Sequence, residues 1–157
     1  MTKGDIRAAA IVVLGLMALP GVSYAMGSSS SDQATQPDLY KQAQTLIDDH
    51  SYAKAIPLLQ KSIQEKGEYA DALNLLGFAN RKLGDKSKAL TYYTKALNLE
   101  PKHLGANEYL GELYLEMNDL PKAEERLGML KKLCGSCEEY DDLAEQVESY
   151  KTAHGQS

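Results

Sequence analysis

Three consecutive blocks of 34 residues, 36–69, 70–103 and 104–137, can be laid over one another without insertion or deletion. The eighth place of each block holds a small residue (Ala43, Gly77, Gly111) and the twentieth holds alanine (Ala55, Ala89, Ala123). A fixed period of this length with small residues at those places is the signature of stacked helical hairpins. The small residue at place 8 lets the two helices of a hairpin approach closely, where a larger side chain would hold the backbones apart. An array of this kind moves the functional question from catalysis to binding.

The turn signals agree with the period. At place 15 stand His50, Gly84 and Asn118, all residue types enriched at left-handed backbone angles just past a helix end. At place 16 stand Ser51, Asp85 and Asp119, each a good N-cap for the helix that follows. Leu39, Leu73, Leu76, Leu110, Leu46 and Tyr114 lie on one stripe of the first helices, and Leu59, Tyr93, Leu127, Ile63, Ala96 and Leu130 on one stripe of the second. Pro121 falls in the first turn of its helix, where no backbone donor is lost. Pro57 lies inside its helix, and a mild kink is expected there rather than a break.

This pattern resembles the tetratricopeptide repeat family. In the middle block Leu73, Leu76, Gly77, Ala89, Tyr93, Ala96 and Pro101 fall on the family's places 4, 7, 8, 20, 24, 27 and 32. The first block departs from it at Gln42 and Glu68, and the third at Asn107 and Gly135. The resemblance implies an all-α fold, a right-handed α-solenoid of three hairpins, within a repeat domain spanning 37–152. A seventh helix over 138–152 is expected to cap the last repeat, with Tyr140, Leu143, Ala144, Val147 and Tyr150 on one face and a capping box from Ser136 and Glu139 in front of it.

The chain ends are of a different kind. Lys3 and Arg7 precede an apolar run from Ala8 to Leu19, then Pro20-Gly21 and Ser23-Tyr24-Ala25, which together read as a secretory signal peptide over 1–25 cut after Ala25. The alternative is an uncleaved anchor, for which the run is short of the ~20 residues a bilayer core requires. Residues 26–36 are a Ser-rich flexible tether, and 153–157 a disordered tail. These features place the product in a bacterial periplasm or outside the cell, with the membrane involved only through the leader. Losing the leader removes Lys3, Arg7 and Asp5, so 17 basic and 22 acidic residues become 15 and 21 and the net charge moves from −5 to −6. Without a basic run, a nucleic-acid partner is not expected.

Cys134 and Cys137 are the only cysteines. A c-type haem site would need histidine where Glu138 stands, and zinc would need two further ligands, while His50, His103 and His154 are scattered. A redox centre has the right spacing, but Glu138 and Glu139 oppose a thiolate at Cys137. A structural disulfide locking the turn before the cap is the reading adopted, with a redox or assembly accessory as the alternative function. No cofactor, metal site or catalytic constellation is expected, and the chain is not read as an enzyme.

The resemblance also implies a concave groove lined by the first helix of each hairpin, at places 2, 5, 9 and 12, where partner peptides dock. The candidates are Tyr40, Gln44 and Ile47; Asn74, Phe78 and Arg81; Glu108, Glu112 and Leu115. Phe78, the only phenylalanine, is the candidate anchor between Asn74 and Arg81, unless it belongs to the core between repeats. The clamp by which some family members hold a C-terminal carboxylate maps onto Tyr40, Gln44, Leu75, Gly105 and Tyr109, none of which fits it. Glu108, Glu112 and Glu116 form an acidic row that suits a basic or amide-rich segment, or is a solvated face. The function expected is that of a scaffold for a protein or peptide partner; end-to-end self-association through Tyr40 and Tyr52 is a further possibility.

Overall fold

The computed structural model describes residues 38–155, so the leader, the tether, Pro37 and the last two residues of the tail lie outside the described residues. Among the described residues there are seven helices and no strand: α1 Leu39–Asp48, α2 Tyr52–Lys66, α3 Ala70–Lys82, α4 Lys86–Leu99, α5 Leu104–Glu116, α6 Leu120–Leu133 and α7 Glu138–Ala153. They pair as α1–α2, α3–α4 and α5–α6, each hairpin stacking on the next, with α7 against both α5 and α6. This is the expected all-α solenoid.

Each hairpin reverses through the same hydrogen-bonded turn. His50, Gly84 and Asn118 have φ of 58°, 85° and 59°. The amide after each one bonds back five residues, Ser51 to Leu46 at 2.7 Å, Asp85 to Asn80 at 2.9 Å and Asp119 to Tyr114 at 2.8 Å. That is a Schellman closure, repeated three times in register. Asp85 and Asp119 then cap the next helix through the Lys88 and Lys122 amides at 3.0 and 3.3 Å. Ser51 does not; its helix starts without a side-chain cap. The capping box of Ser136 and Glu139 is also absent. The Ser136 amide bonds the Cys134 carbonyl at 2.8 Å, and Cys137 takes the cap position without a side-chain bond.

Small residues set the helix spacing. Ala43, Ala55, Ala89 and Ala123 are fully buried, and a Cβ at Gly77 would meet the Tyr93 ring. In the third hairpin the partner of the small residue is Leu143 of α7, against which a Cβ at Gly111 would collide. Leu143 and Val147 pack with Leu115, Ala123 and Leu130, so α7 closes the core of the last hairpin. It ends one residue beyond 152, and His154 stacks on Tyr150 with ring centroids 3.9 Å apart.

The departures from the family pattern are compensated locally. Asn107, at an apolar place, is fully buried but satisfied: its amide donates to the Pro101 and His103 carbonyls at 3.2 and 2.9 Å, and its oxygen accepts from Arg126 at 3.2 Å. Where Glu68 replaces the closing proline, Gly67 turns the chain at φ 86° and Tyr69 bonds Ser62 at 2.7 Å. Pro57 leaves α2 unbroken and Pro121 sits in the first turn of α6.

Candidate functional site

A depression of about 820 Å³ runs along the first two hairpins. α1 supplies Lys41, Gln44, Thr45, Ile47 and Asp48, the first turn and α2 supply His50 and Tyr52, α3 supplies Leu75 and Phe78, and α5 supplies Tyr109. These residues meet because the first helices lie side by side, and place 6 of each, with place 9 of the first two, turns toward the same side. Phe78 is half-buried between Tyr52, 6.0 Å away between ring centroids, and Tyr109, 4.9 Å away. The Lys82 ammonium lies 5.1 Å from the Phe78 centroid. The floor is therefore a row of aromatic faces flanked by aliphatic side chains, with Lys41, Gln44 and Asp48 at the rim.

Next to the row lies a buried polar chain. Arg81 is 7% exposed, with its guanidinium 5.6 and 5.8 Å from the Phe78 and Tyr109 centroids. It pairs with Glu112 and, at 3.0 Å, with Glu116, and Gln146 of α7 donates to Glu112. Lys86 donates to the Glu116 carbonyl at 2.6 Å. A continuous set of charge-assisted bonds thus joins α3, α5 and α7. Arg81 Nε and the Tyr93 hydroxyl are buried without a well-aligned hydrogen bond, although the two side chains interact with each other. Burial pushes the Tyr93 hydroxyl well above its ordinary value.

Burial, and then the charges of Glu112, Asp142 and Glu139, push the Glu108 carboxyl up to about 8. Tyr109 rises to about 12 through burial and the nearby Glu108 and Glu112.

The structure thus divides the nine candidate residues. Gln44, Ile47 and Phe78 line the groove together. Tyr40 lies in a separate depression of about 270 Å³ with Asp38, Lys66, Tyr69 and Asp71, where burial and Asp71 push its hydroxyl up to about 12. Asn74, Arg81, Glu108, Glu112 and Leu115 are buried. Arg81 is consequently no exposed flank for Phe78, and two of the three carboxylates in the acidic row are no solvated face. The reason is common to both: hairpin three and α7 fold over this side, Leu115 joining the core beneath α7. Tyr52, Leu75 and Tyr109 belong to the groove although places 2, 5, 9 and 12 omit them. Place 6, occupied by Lys41, Leu75 and Tyr109, was the signal that would have found most of the difference.

Cys134 and Cys137 form a disulfide, their Cα atoms 5.9 Å apart, at the turn into α7. Among the described residues no group of three side chains could hold a metal ion, and no helix is long and apolar enough to cross a membrane.

A sequence profile of the tetratricopeptide repeat matches residues 70–103. No curated protein matches the chain. Among solved structures, the Yersinia enterocolitica type III secretion translocator chaperone SycD is 18% identical, with a TM-score of 0.65 over 74% of this chain and 83% of SycD. The same chaperone in complex with a peptide of the translocator YopD is 21% identical, with a TM-score of 0.62 over 73% of this chain and 88% of that one. The second tetratricopeptide domain of human RPAP3, solved with the HSP70 peptide SGPTIEEVD, is 15% identical, with a TM-score of 0.63 over 71% and 92%. At these identities the likeness establishes the fold.

Proposed function

We propose, from the premise that this chain is a tetratricopeptide-repeat protein, that it is a non-enzymatic docking scaffold whose groove on the first two hairpins holds an extended segment of a partner protein. The observation that carries the reading is the aromatic floor of Tyr52, Phe78 and Tyr109 beside Ile47 and Leu75. Interface hot spots favour such rings, which offer large apolar area at little entropic cost. Two structures of the same fold hold peptides, one from YopD and one from HSP70. The test is recovery of binding partners, followed by calorimetry on the recovered segment with wild type and Phe78→Ala. Loss of a buried aromatic anchor weakens binding by about 2 kcal/mol or more; an unchanged affinity removes the groove from the account.

The scaffold is proposed to act after export to a bacterial periplasm or beyond. Support comes from the leader over 1–25 and from a disulfide suited to an oxidising compartment. Mass spectrometry of the protein from an envelope fraction should find an N-terminus at Met26; a retained leader on cytoplasmic protein would contradict this.

A further inference from the structure

The third-hairpin end of the groove has acceptors in excess of donors. Glu108 on α5 is 6% exposed and makes neither an ion pair nor a hydrogen bond, while Glu112, Asp142 and Glu139 face it. The cation whose charge acts on it is Arg81, whose terminal nitrogens are already held by Glu112 and Glu116. Like charges brought together without a counter-ion oppose one another strongly when shielded from water, so Glu108 holds its proton in the free chain and gives it up when a cation binds beside it.

A neutral group shows the same deficit. Asn74, one repeat earlier at the same place of its helix, is 6% exposed, and its Oδ1 is buried without a partner. Its amide nitrogen reaches α5 at Gly105, where a Cβ would stand 3.3 Å from it. Gly105 is one turn ahead of Glu108 on the same face of α5. A buried acceptor without a donor is uncommon in a folded chain. Asn74 Oδ1 is such an acceptor on α3, and the Glu108 carboxyl on α5, which makes no hydrogen bond but keeps some contact with water, follows it along the groove.

This region is continuous with the aromatic floor. Tyr109 is the neighbour of Glu108 in sequence, packs against Phe78 with the rings tilted and their centroids 4.9 Å apart, and lies within the field of Glu108 and Glu112. A side chain resting on Phe78 and Tyr109 therefore places the next groups of its chain beside Glu108. Asp142 is exposed and Glu139 half-buried, so a long flexible cation can approach along α7. An acidic segment would meet Lys82 beside Phe78, and Arg81 and Lys86 already paired, against five carboxylates: Glu108, Glu112, Glu116, Glu139 and Asp142.

Building on the groove reading above, we infer that the docked segment carries a lysine or arginine adjacent to an apolar or aromatic residue. The apolar side chain rests on Phe78 and Tyr109, and the cationic head sits over Glu108, Glu139 and Asp142. The charge supplies direction and selectivity, because it fixes which end of the segment lies toward α7.

The experiment is to pan a phage-displayed nonapeptide library on the purified full chain and measure the selected peptides by calorimetry. The expected peptides carry a basic residue at a constant offset from an apolar one. Replacing that basic residue by norleucine should weaken binding to wild type about tenfold or more, and much less to Glu108→Gln. Circular dichroism is to check that Glu108→Gln is folded, and the double variant Glu139→Gln, Asp142→Asn, at more accessible positions, should weaken the same peptides independently. Peptides that lose affinity with Phe78→Ala but lack a basic residue, or bind Glu108→Gln unchanged, would overturn this inference and leave the groove standing. Peptides indifferent to Phe78→Ala, or no selected peptides at all, would overturn the groove reading and this one with it.

Discussion

Alanine in place of Gly77 should destabilise the array, while the same change at Gly128 should stabilise it. Both glycines lie inside helices, so intrinsic propensity favours alanine at each by up to about 1 kcal/mol. The surroundings differ. A Cβ on Gly77 would stand 2.5, 2.6 and 3.0 Å from Cε1, Cδ1 and Cγ of Tyr93, whereas nothing lies within 4 Å of one on Gly128. Carbon contacts rest at about 3.5–4.0 Å, so α3 and α4 must separate by about 1 Å or the ring must swing. The ring has little room, being fully buried with Tyr109 6.3 Å away and packed among Ala89, Leu110 and Leu113. Overpacking of this kind costs about 1–3 kcal/mol. Net of propensity, Gly77→Ala should lose about 1–2 kcal/mol, which lowers Tm by roughly 3–10 °C for a domain of this size. Gly128→Ala should raise Tm by a few degrees. Thermal unfolding followed at 222 nm reads both. A rise for both variants would refute the claim that place 8 sets the helix spacing.

Gly84→Ala meets no atom but holds φ 85°, so it should cost about 1–2 kcal/mol from backbone strain alone, read by denaturant titration. Arg81→Ala leaves Glu112 and Glu116 without their shared partner and should cost about 3–5 kcal/mol by the same measurement; a loss under 1 kcal/mol would mean that the polar chain is solvated. Glu108 keeps its proton in the folded state up to about 8 and loses it near 4.5 when unfolded, so its contribution to stability falls as pH rises through that interval. Glu108→Gln should remove the slope, leaving the variant ahead by about 1–3 kcal/mol at pH 8 after allowance for water around Asp142; parallel Tm curves from pH 4.5 to 8 would contradict this. Reduction of the Cys134–Cys137 disulfide closes no long loop in the unfolded chain, so it should free α7 while leaving most helicity, and collapse of the whole circular dichroism signal would be the opposite result.

The fold was legible because its signals are local. A residue that tolerates left-handed angles, followed by an N-cap, recurs at 50–51, 84–85 and 118–119, and the turn it encodes uses only backbone atoms within six residues. The places where local signals failed are those where a distant element decides. Ser136 and Glu139 spell a capping box, but the disulfide-linked turn gives the cap to Cys137. The candidate site was harder to read for the same reason. Glu108, Glu112 and Glu116 recur at spacing four as on a wet helix face, and only the packing of α3 and α7 against α5 shows that the first two are buried and that Arg81 and Gln146 hold Glu112. Phe78 was found because it is unique in the chain. Tyr109 was passed over as a groove residue because one position of rotation around α5 separates the row facing the depression from the row facing the cap.

The most direct measurement is intermolecular NOE mapping of a selected peptide bound to isotope-labelled protein. The account predicts contacts from the peptide to the Ile47 and Leu75 methyl groups and to the Phe78 and Tyr109 rings. Contacts confined instead to the separate depression formed by Leu97, Tyr114 and Met129 would contradict it.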